Sequence, residues 1–225
     1  MQPVPAGVVT ALHERRSGSS RFVVAIDGQI AATVSAELIG QLGLHVGRRV
    51  DEDDAHRLAQ ASALLAVFDK AVELLSVRAR SVRDLQGRLR RAGAGDAAIS
   101  AAVERLHALG LLDDEAYARN LARSRVLSGG VSRRRIGVEL QKRGIARDVA
   151  DEAIAETLDE AELDEDGAAR AAATKRLRAL ASLDPATRRR RLYAFLARRG
   201  YPPDVIARAL RNVLAERDAD GDDTD

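Results

Sequence analysis

Acid–base or metal chemistry would first be sought at the four histidines, His13, His45, His56 and His107. No two stand four apart, and none has a carboxylate at a spacing suited to zinc, so they read as surface or core-edge residues. Asp113-Asp114-Glu115 gathers three carboxylates, a set that suits a divalent cation. Ahead of a helical stretch, however, such acids are better explained as caps that complement the positive end of the helix dipole. The chain has no cysteine, hence no thiol nucleophile, no thiolate metal site and no disulfide framework, which suits a reducing, cytoplasmic setting. Gly93-Ala94-Gly95 is the nearest approach to a phosphate loop, but it joins two helical stretches, and neither GxxxxGK[ST] nor a strand–GxGxxG–helix unit occurs. With no paired nucleophile and base, the residues point away from an enzyme and imply no metal or cofactor.

The remaining chemistry lies in arginine. A guanidinium binds carboxylates and phosphates bidentately through a fixed fork of donors. Arg119 and Arg123, four apart, share one helix face; Arg133, Arg134 and Arg135 follow a Gly-Gly break; Arg143 sits at a glycine turn; and Arg188, Arg189, Arg190 and Arg191 form a run. These ten are the candidate contacts to a partner or to nucleic acid. Others, such as Arg105, read as solvated faces, and an arginine- and alanine-rich coding bias alone also raises the count. Charge is uneven although the net is only +2: Ser76–Arg147 carries 16 basic and 7 acidic residues, Asp148–Asp166 ten acidic and none basic, and Gly167–Arg211 twelve basic and two acidic. Blocks of both signs favour a polyanion or a large charged partner over a small molecule. Base-stacking aromatics are scarce, three Phe and three Tyr, which argues against specific single-strand readout.

These arginines belong to a repeat. Gly93, Gly144 and Gly200 each follow a basic helical stretch and precede another. Eight and four residues before them stand Leu85/Leu89, Ile136/Leu140 and Leu192/Leu196; five, nine and ten residues after come Ala98/Ala102/Val103, Val149/Ala153/Ile154 and Val205/Ala209/Leu210. Self-similarity of this kind marks a tandem helical array whose units bury apolar faces against one another. Cap residues agree: Ser81, Asp96, Asp113, Ser132 and Asp184-Pro185 stand where helices should start, and the glycines where they should end. In the third copy the cap lies eight residues before the first aligned leucine, against four in the others, so that helix should be a turn longer.

Before the repeats, Arg21–Ile26 and Gln29–Val34 are β-prone around Asp27-Gly28, the type I′ hairpin signature, with a further short strand at Val8–Leu12. The hairpin is either a structural cap or an extra contact arm. Ser35–Leu42 reads as a short helix, and Leu58, Ala61, Leu65, Phe68, Val72 and Leu75 mark one side of a long linking helix. The expected architecture is all-α: an elongated array of three tandem three-helix repeats with an N-terminal β-hairpin and a linking helix. Its parts are an N-terminal extension over 1–50, the linking helix and first repeat over 51–112, the second repeat over 113–160, the third over 161–216, and a disordered acidic tail over 217–225. The acidic connector 159–167 is the expected hinge. No apolar run nears the roughly 18 residues of a membrane span, and residues 1–16 lack a signal-peptide pattern.

Three stretches, LLSVRARSVRDLQGRLRRAG, GLLDDEAYARNLARSR and SRRRIGVELQKRGI, resemble the RecX family of bacterial recombinase regulators. The resemblance spans about Val23 to Leu214. Its most specific part is Gly110-Leu111-Leu112-Asp113-Asp114-Glu115-Ala116-Tyr117-Ala118, similar to the family pattern G-[YL]-[LI]-D-D-x-x-[FY]-A. Ala92 before the glycine, and Ala94-Gly95 after it, depart from the usual residues and bear on local helix ends. The resemblance implies a cytoplasmic protein of three tandem three-helix units, often curved, that lodges in the groove of the RecA filament on single-stranded DNA. There it would inhibit strand exchange, ATP hydrolysis and coprotease activity, with a place in recombination, DNA repair and the SOS response. It implies no agreed set of contact residues, and nothing demands more than a monomer. A reading of another class stays open: helix pairs with a glycine turn also resemble helix-turn-helix DNA-binding modules acting without RecA. Against it, the acidic block over 148–166 and the acidic tail would repel a phosphate backbone, though weak direct DNA binding is compatible with either.

Overall fold

The computed structural model describes residues 3–15, 20–128, 131–162 and 164–221, with backbone alone from 216. The tail's last four residues and the Gly-Gly break lie outside the described residues. Packing divides the chain into two compact units, Met1–Ala79 with Leu85–Leu112, and Arg80–Asp84 with Asp113 onward.

The first unit opens on β1 (Gly7–Glu14), β2 (Arg21–Ile26) and β3 (Gln29–Ser35), then α1 (Ala36–Leu42), β4 (Arg49–Val50) and α2 (Glu52–Val77). Asp27 and Gly28 both take positive φ, 49° and 83°, as a type I′ turn requires. The all-α expectation with a lone hairpin needs correction here. All four strands form one antiparallel sheet in the order β3-β2-β1-β4. A two-stranded ribbon is marginal in water; here β1 pairs with β2 from Val9↔Ile26 to Glu14↔Phe22 and carries β4 on its other edge. Val9, Val24, Ile26, Val34, Leu42, Val50 and Leu58 close a core between the sheet, α1 and the start of α2, so the sheet is an integral part of this unit's core. On α2 the buried positions are Asp54, Ala55, Leu58, Ala59, Phe68 and Ala71; of the expected stripe Leu58 and Phe68 are among them, while Val72 is exposed.

The first repeat continues with α3 (Val82–Arg91) and α4 (Asp96–Ala108), the latter packed on α2. The second unit adds α5 (Asp114–Leu127), α6 (Arg133–Lys142), α7 (Arg147–Glu160), α8 (Glu165–Arg178), α9 (Pro185–Arg198) and α10 (Pro203–Gly221). Leu85/Leu89, Ile136/Leu140 and Leu192/Leu196 are all fully buried. After the glycine, the ninth and tenth residues are buried in every copy, but the deepest position is the sixth: Ile99, Ala150 and Ile206 are at most 1% exposed. Ala98 and Val149, at the fifth, are only partly covered. In the first two copies the buried face is thus centred about one residue on from the fifth position, whereas in the third Val205 is itself buried, as the alignment suggested.

Ser81, Asp113, Ser132 and Asp184 cap as expected, accepting from the backbone N–H of Asp84, Ala116, Arg135 and Thr187. Asp96 does not: Gly95 is the N-cap of α4, and Asp96, one residue inside, pairs with Arg90 at 2.8 Å. The acidic connector is shorter than expected, because α7 runs to Glu160 and α8 starts at Glu165. Likewise α10 continues to Gly221, past the expected end near Glu216.

The glycine turns do more than end helices. The turn after α6 meets the N-terminus of α3: Ser81 Oγ donates to the Arg143 carbonyl at 2.6 Å, and the Arg83 side chain lies on Gly144. The turn after α9 meets the N-terminus of α6 through a different donor: the Ser132 backbone N–H, not its hydroxyl, donates to the Arg199 carbonyl at 3.1 Å, and Gly200 faces Ser132 Oγ. Both serines are completely buried. The carbonyl-rich end of one helix thus faces the N–H-rich end of another, the favourable pairing of helix dipoles. A serine-capped helix start meets a glycine turn twice, once through the cap hydroxyl and once through the cap N–H.

Candidate partner-binding surface

Ser132 starts α6, and Asp184-Pro185 starts α9; a run of arginines follows the first cap directly, at Arg133–Arg135, and begins three residues further in after the second, at Arg188–Arg191. Acidic residues are favoured there by the positive end of the dipole, and α2, α5, α8 and α10 all carry them in the first turn. Helices α6 and α9 have none. Each misplaced cation costs roughly 0.3–1 kcal/mol in an isolated helix. A run of them suits an anionic partner, which would feel both the guanidinium charges and the dipole.

The structure sorts the ten candidate arginines by their partners. Arg119 faces Glu115 at 3.9 Å, and Arg123 donates to Glu160 at 2.5 Å. Arg143 pairs with Glu139 at 2.9 Å. Arg135 donates to the Arg198 carbonyl at 2.9 Å, and Arg188 turns back to the Leu183 carbonyl at 2.6 Å. Arg133, Arg134, Arg189, Arg190 and Arg191 are exposed and, among the described residues, have no polar partner. The joint at Ser132 ties the start of α6 to the end of α9, so Arg133 and Arg134 lie beside the turn that bears exposed Arg198. Among the described residues no hydrogen bond or ion pair brings the α9 run, Arg189–Arg191, to that turn.

Neighbouring acids and rings account for many other cations. Asp114 accepts from the backbone N–H of Val82, Asp113 caps α5, and no cluster of metal-ligating side chains occurs among the described residues. Two of the three phenylalanines already carry guanidinium groups, Arg105 over Phe68 at 4.7 Å and Arg199 over Phe195 at 4.3 Å, which removes them as stacking platforms for bases.

One arginine outside the candidate set proved structural. Arg125 grips Glu139 through two bonds, at 2.6 and 2.9 Å, with Arg143 on the same carboxylate. The bond from Arg125, reinforced by Arg143 and opposed by partial burial, pulls the Glu139 carboxyl down to about 2. Nothing in the spacing of residues 125, 139 and 143 signals a three-way contact across two helices. A carboxyl held below its unfolded value contributes stability above pH ~4.5, which is lost as the pH falls toward 2. Glu139→Gln should therefore cost about 2 kcal/mol at pH 7 and flatten the acid limb of urea-melt stability between pH 4.5 and 2. An unchanged limb would remove Glu139 as the titrating group.

Family models for RecX match in three places: the first three-helix domain over residues 68–106, the second over 113–154 and the third over 164–210. A protein of Amycolatopsis mediterranei named regulatory protein RecX is 34% identical over 148 residues, covering 66% of this chain and 83% of that one. One of the same name from Bacillus velezensis is 28% identical over 211 residues, covering 93% and 79%. A crystal structure titled regulatory protein RecX superposes with a TM-score of 0.69 at 21% identity, covering 89% of this chain and 97% of that one. RecX from Lactobacillus salivarius gives 0.58 at 20% identity, covering 68% and 97%. These two share the fold. No helix among the described residues is long and apolar enough to cross a membrane. With three consecutive domain models matched in order and relatives aligned over most of their length, the chain belongs to the RecX family of regulatory proteins.

Proposed function

We propose that this protein binds the RecA filament on single-stranded DNA and restrains its recombinase, ATPase and coprotease activities, either by occupying the filament groove or by capping its growth. It acts as a cytoplasmic monomer, with the repeats over 51–112, 113–160 and 161–216 as its successive contact modules. The observation that carries this reading is the set of unneutralised arginines near the starts of α6 and α9. The test is the DNA-dependent ATPase rate of the cognate RecA at fixed salt, with this protein titrated in. Inhibition well below one protein per recombinase subunit supports capping, and inhibition only near one-to-one supports groove occupancy. No inhibition at any ratio overturns the proposal.

The same arginines favour a second reading, a DNA-binding module that needs no RecA. Affinity for bare DNA would then fall steeply with salt, by a slope of about −0.9 per phosphate contacted on duplex.

A further inference from the structure

The glycine turn of the first repeat lacks the seat that the other two have. Arg143 and Arg199, each one residue before the glycine, give their carbonyls to Ser81 and Ser132. The equivalent residue is Ala92, whose carbonyl accepts no hydrogen bond among the described residues. A Cβ on Gly93 would meet nothing within 4 Å, whereas at Gly144 and Gly200 the cap residues of another helix stand in the way. Ala92 and Gly93 are exposed, and beside them, within the first unit, runs a cleft of about 370 Å³. Small side chains of α2, Ala59, Ala63 and Ala66, form its floor.

We propose that this cleft is a docking site for the first turn of a serine- or threonine-capped helix of a partner protein, seated on the Gly93 turn as Ser81 sits on the Gly144 turn. The occupant follows from the chain's own two joints, which pair the same turn with the same kind of helix end. A second copy cannot supply it: Ser81 and Ser132 are already engaged and buried, Ser35 caps only the seven-residue α1 and is paired with Arg21 in the sheet, and the corresponding position of the third repeat is Arg188, inside a longer helix. The cap hydroxyl donates to the Ala92 carbonyl, the helix N-terminus faces the carbonyl end of α3, and the alanine floor admits the partner's backbone closely. Resting on the function proposed above, the partner helix belongs to the recombinase.

The probe is a lactam-stapled peptide of sequence SVRDLQGRLRR, residues 81–91, whose serine hydroxyl makes this bond to the Arg143 carbonyl within the chain itself, titrated into the full-length protein. Saturable binding should shift the backbone amides of Ala92, Ala94, Gly95 and Ala98. Affinity should fall about tenfold, the worth of one hydrogen bond, when the peptide's serine is alanine or when Ala66→Trp fills the cleft. Equal affinity in Ala66→Trp, shifts elsewhere, or no saturable binding would overturn the site. The ATPase titration separates the two proposals. If the parent protein inhibits and Ala66→Trp inhibits as well, the recombinase is not the occupant; if the parent protein does not inhibit, the functional reading fails, while the peptide still decides the cleft.

Discussion

Gly144→Ala lowers the melting temperature by about 10 °C, and Gly93→Ala by about 3 °C. Both glycines have φ near +85°, where an L side chain costs about 1 kcal/mol or somewhat more. At Gly93 that is the whole cost, because the added methyl meets open space. At Gly144 the methyl would stand 2.5 Å from Arg83 Cβ and closer still to Cδ. The Cβ cannot swing away without moving α3, so the 2.6 Å bond from Ser81 to the Arg143 carbonyl is strained or broken. Breaking it leaves a fully buried hydroxyl unpaired, which adds about 1–3 kcal/mol. At about 2–4 °C per kcal/mol for a chain of this size, the two variants separate clearly in scanning calorimetry. Equal shifts would mean that the joint contributes nothing beyond the backbone strain common to both.

Reversing Arg133, Arg134, Arg189, Arg190 and Arg191 to glutamate should weaken inhibition of the RecA ATPase by at least about a hundredfold. Each exposed charge contributes about 0.5–1 kcal/mol to an ionic contact, and five reversals together reach about 3 kcal/mol or more. The fold should not suffer: the substitutions at 133 and 134 place acids in the first turn of α6, where the helix dipole favours them, and those at 189–191 fall on exposed positions of α9. Arg119→Glu with Arg123→Glu is expected to weaken inhibition less, since those arginines already spend part of their field on Glu115 and Glu160. The half-inhibitory concentration, with helicity followed by circular dichroism, measures both. Undiminished inhibition by the fivefold variant, with normal helicity, would remove α6 and α9 as contact surfaces.

The helices could be read from the chain because their signals are local. Ser132 and Asp184 cap where a side-chain oxygen can reach the third N–H, and Leu85, Leu140 and Leu192 repeat on one face. The sheet was only half legible. Asp27-Gly28 announces its own turn, but the pairing of Gly7 with Val50 joins residues over forty positions apart, and two-residue β4 has no periodicity to read. Arginine roles were the least legible. Arg119 has Glu115 one turn earlier on its own helix, a pairing that spacing can show, but Arg123 and Arg133 look alike in sequence, and only Glu160 on α7 divides the neutralised from the free. Glu139, whose two arginine partners lie on α5 and α6, shows why composition could not make that division.

The extra turn of α9 sets the number of units this architecture can hold. Twelve residues before the turn glycine, the first two repeats place a serine at the very start of the helix, while the third places Arg188 with Pro185–Thr187 already wound ahead of it. A duplicated segment appended after residue 216 would bring a glycine turn and find no cap to join. The series therefore has a built-in last member, and lengthening it would take a deletion of one helical turn and an Arg188→Ser substitution before any duplication could be used.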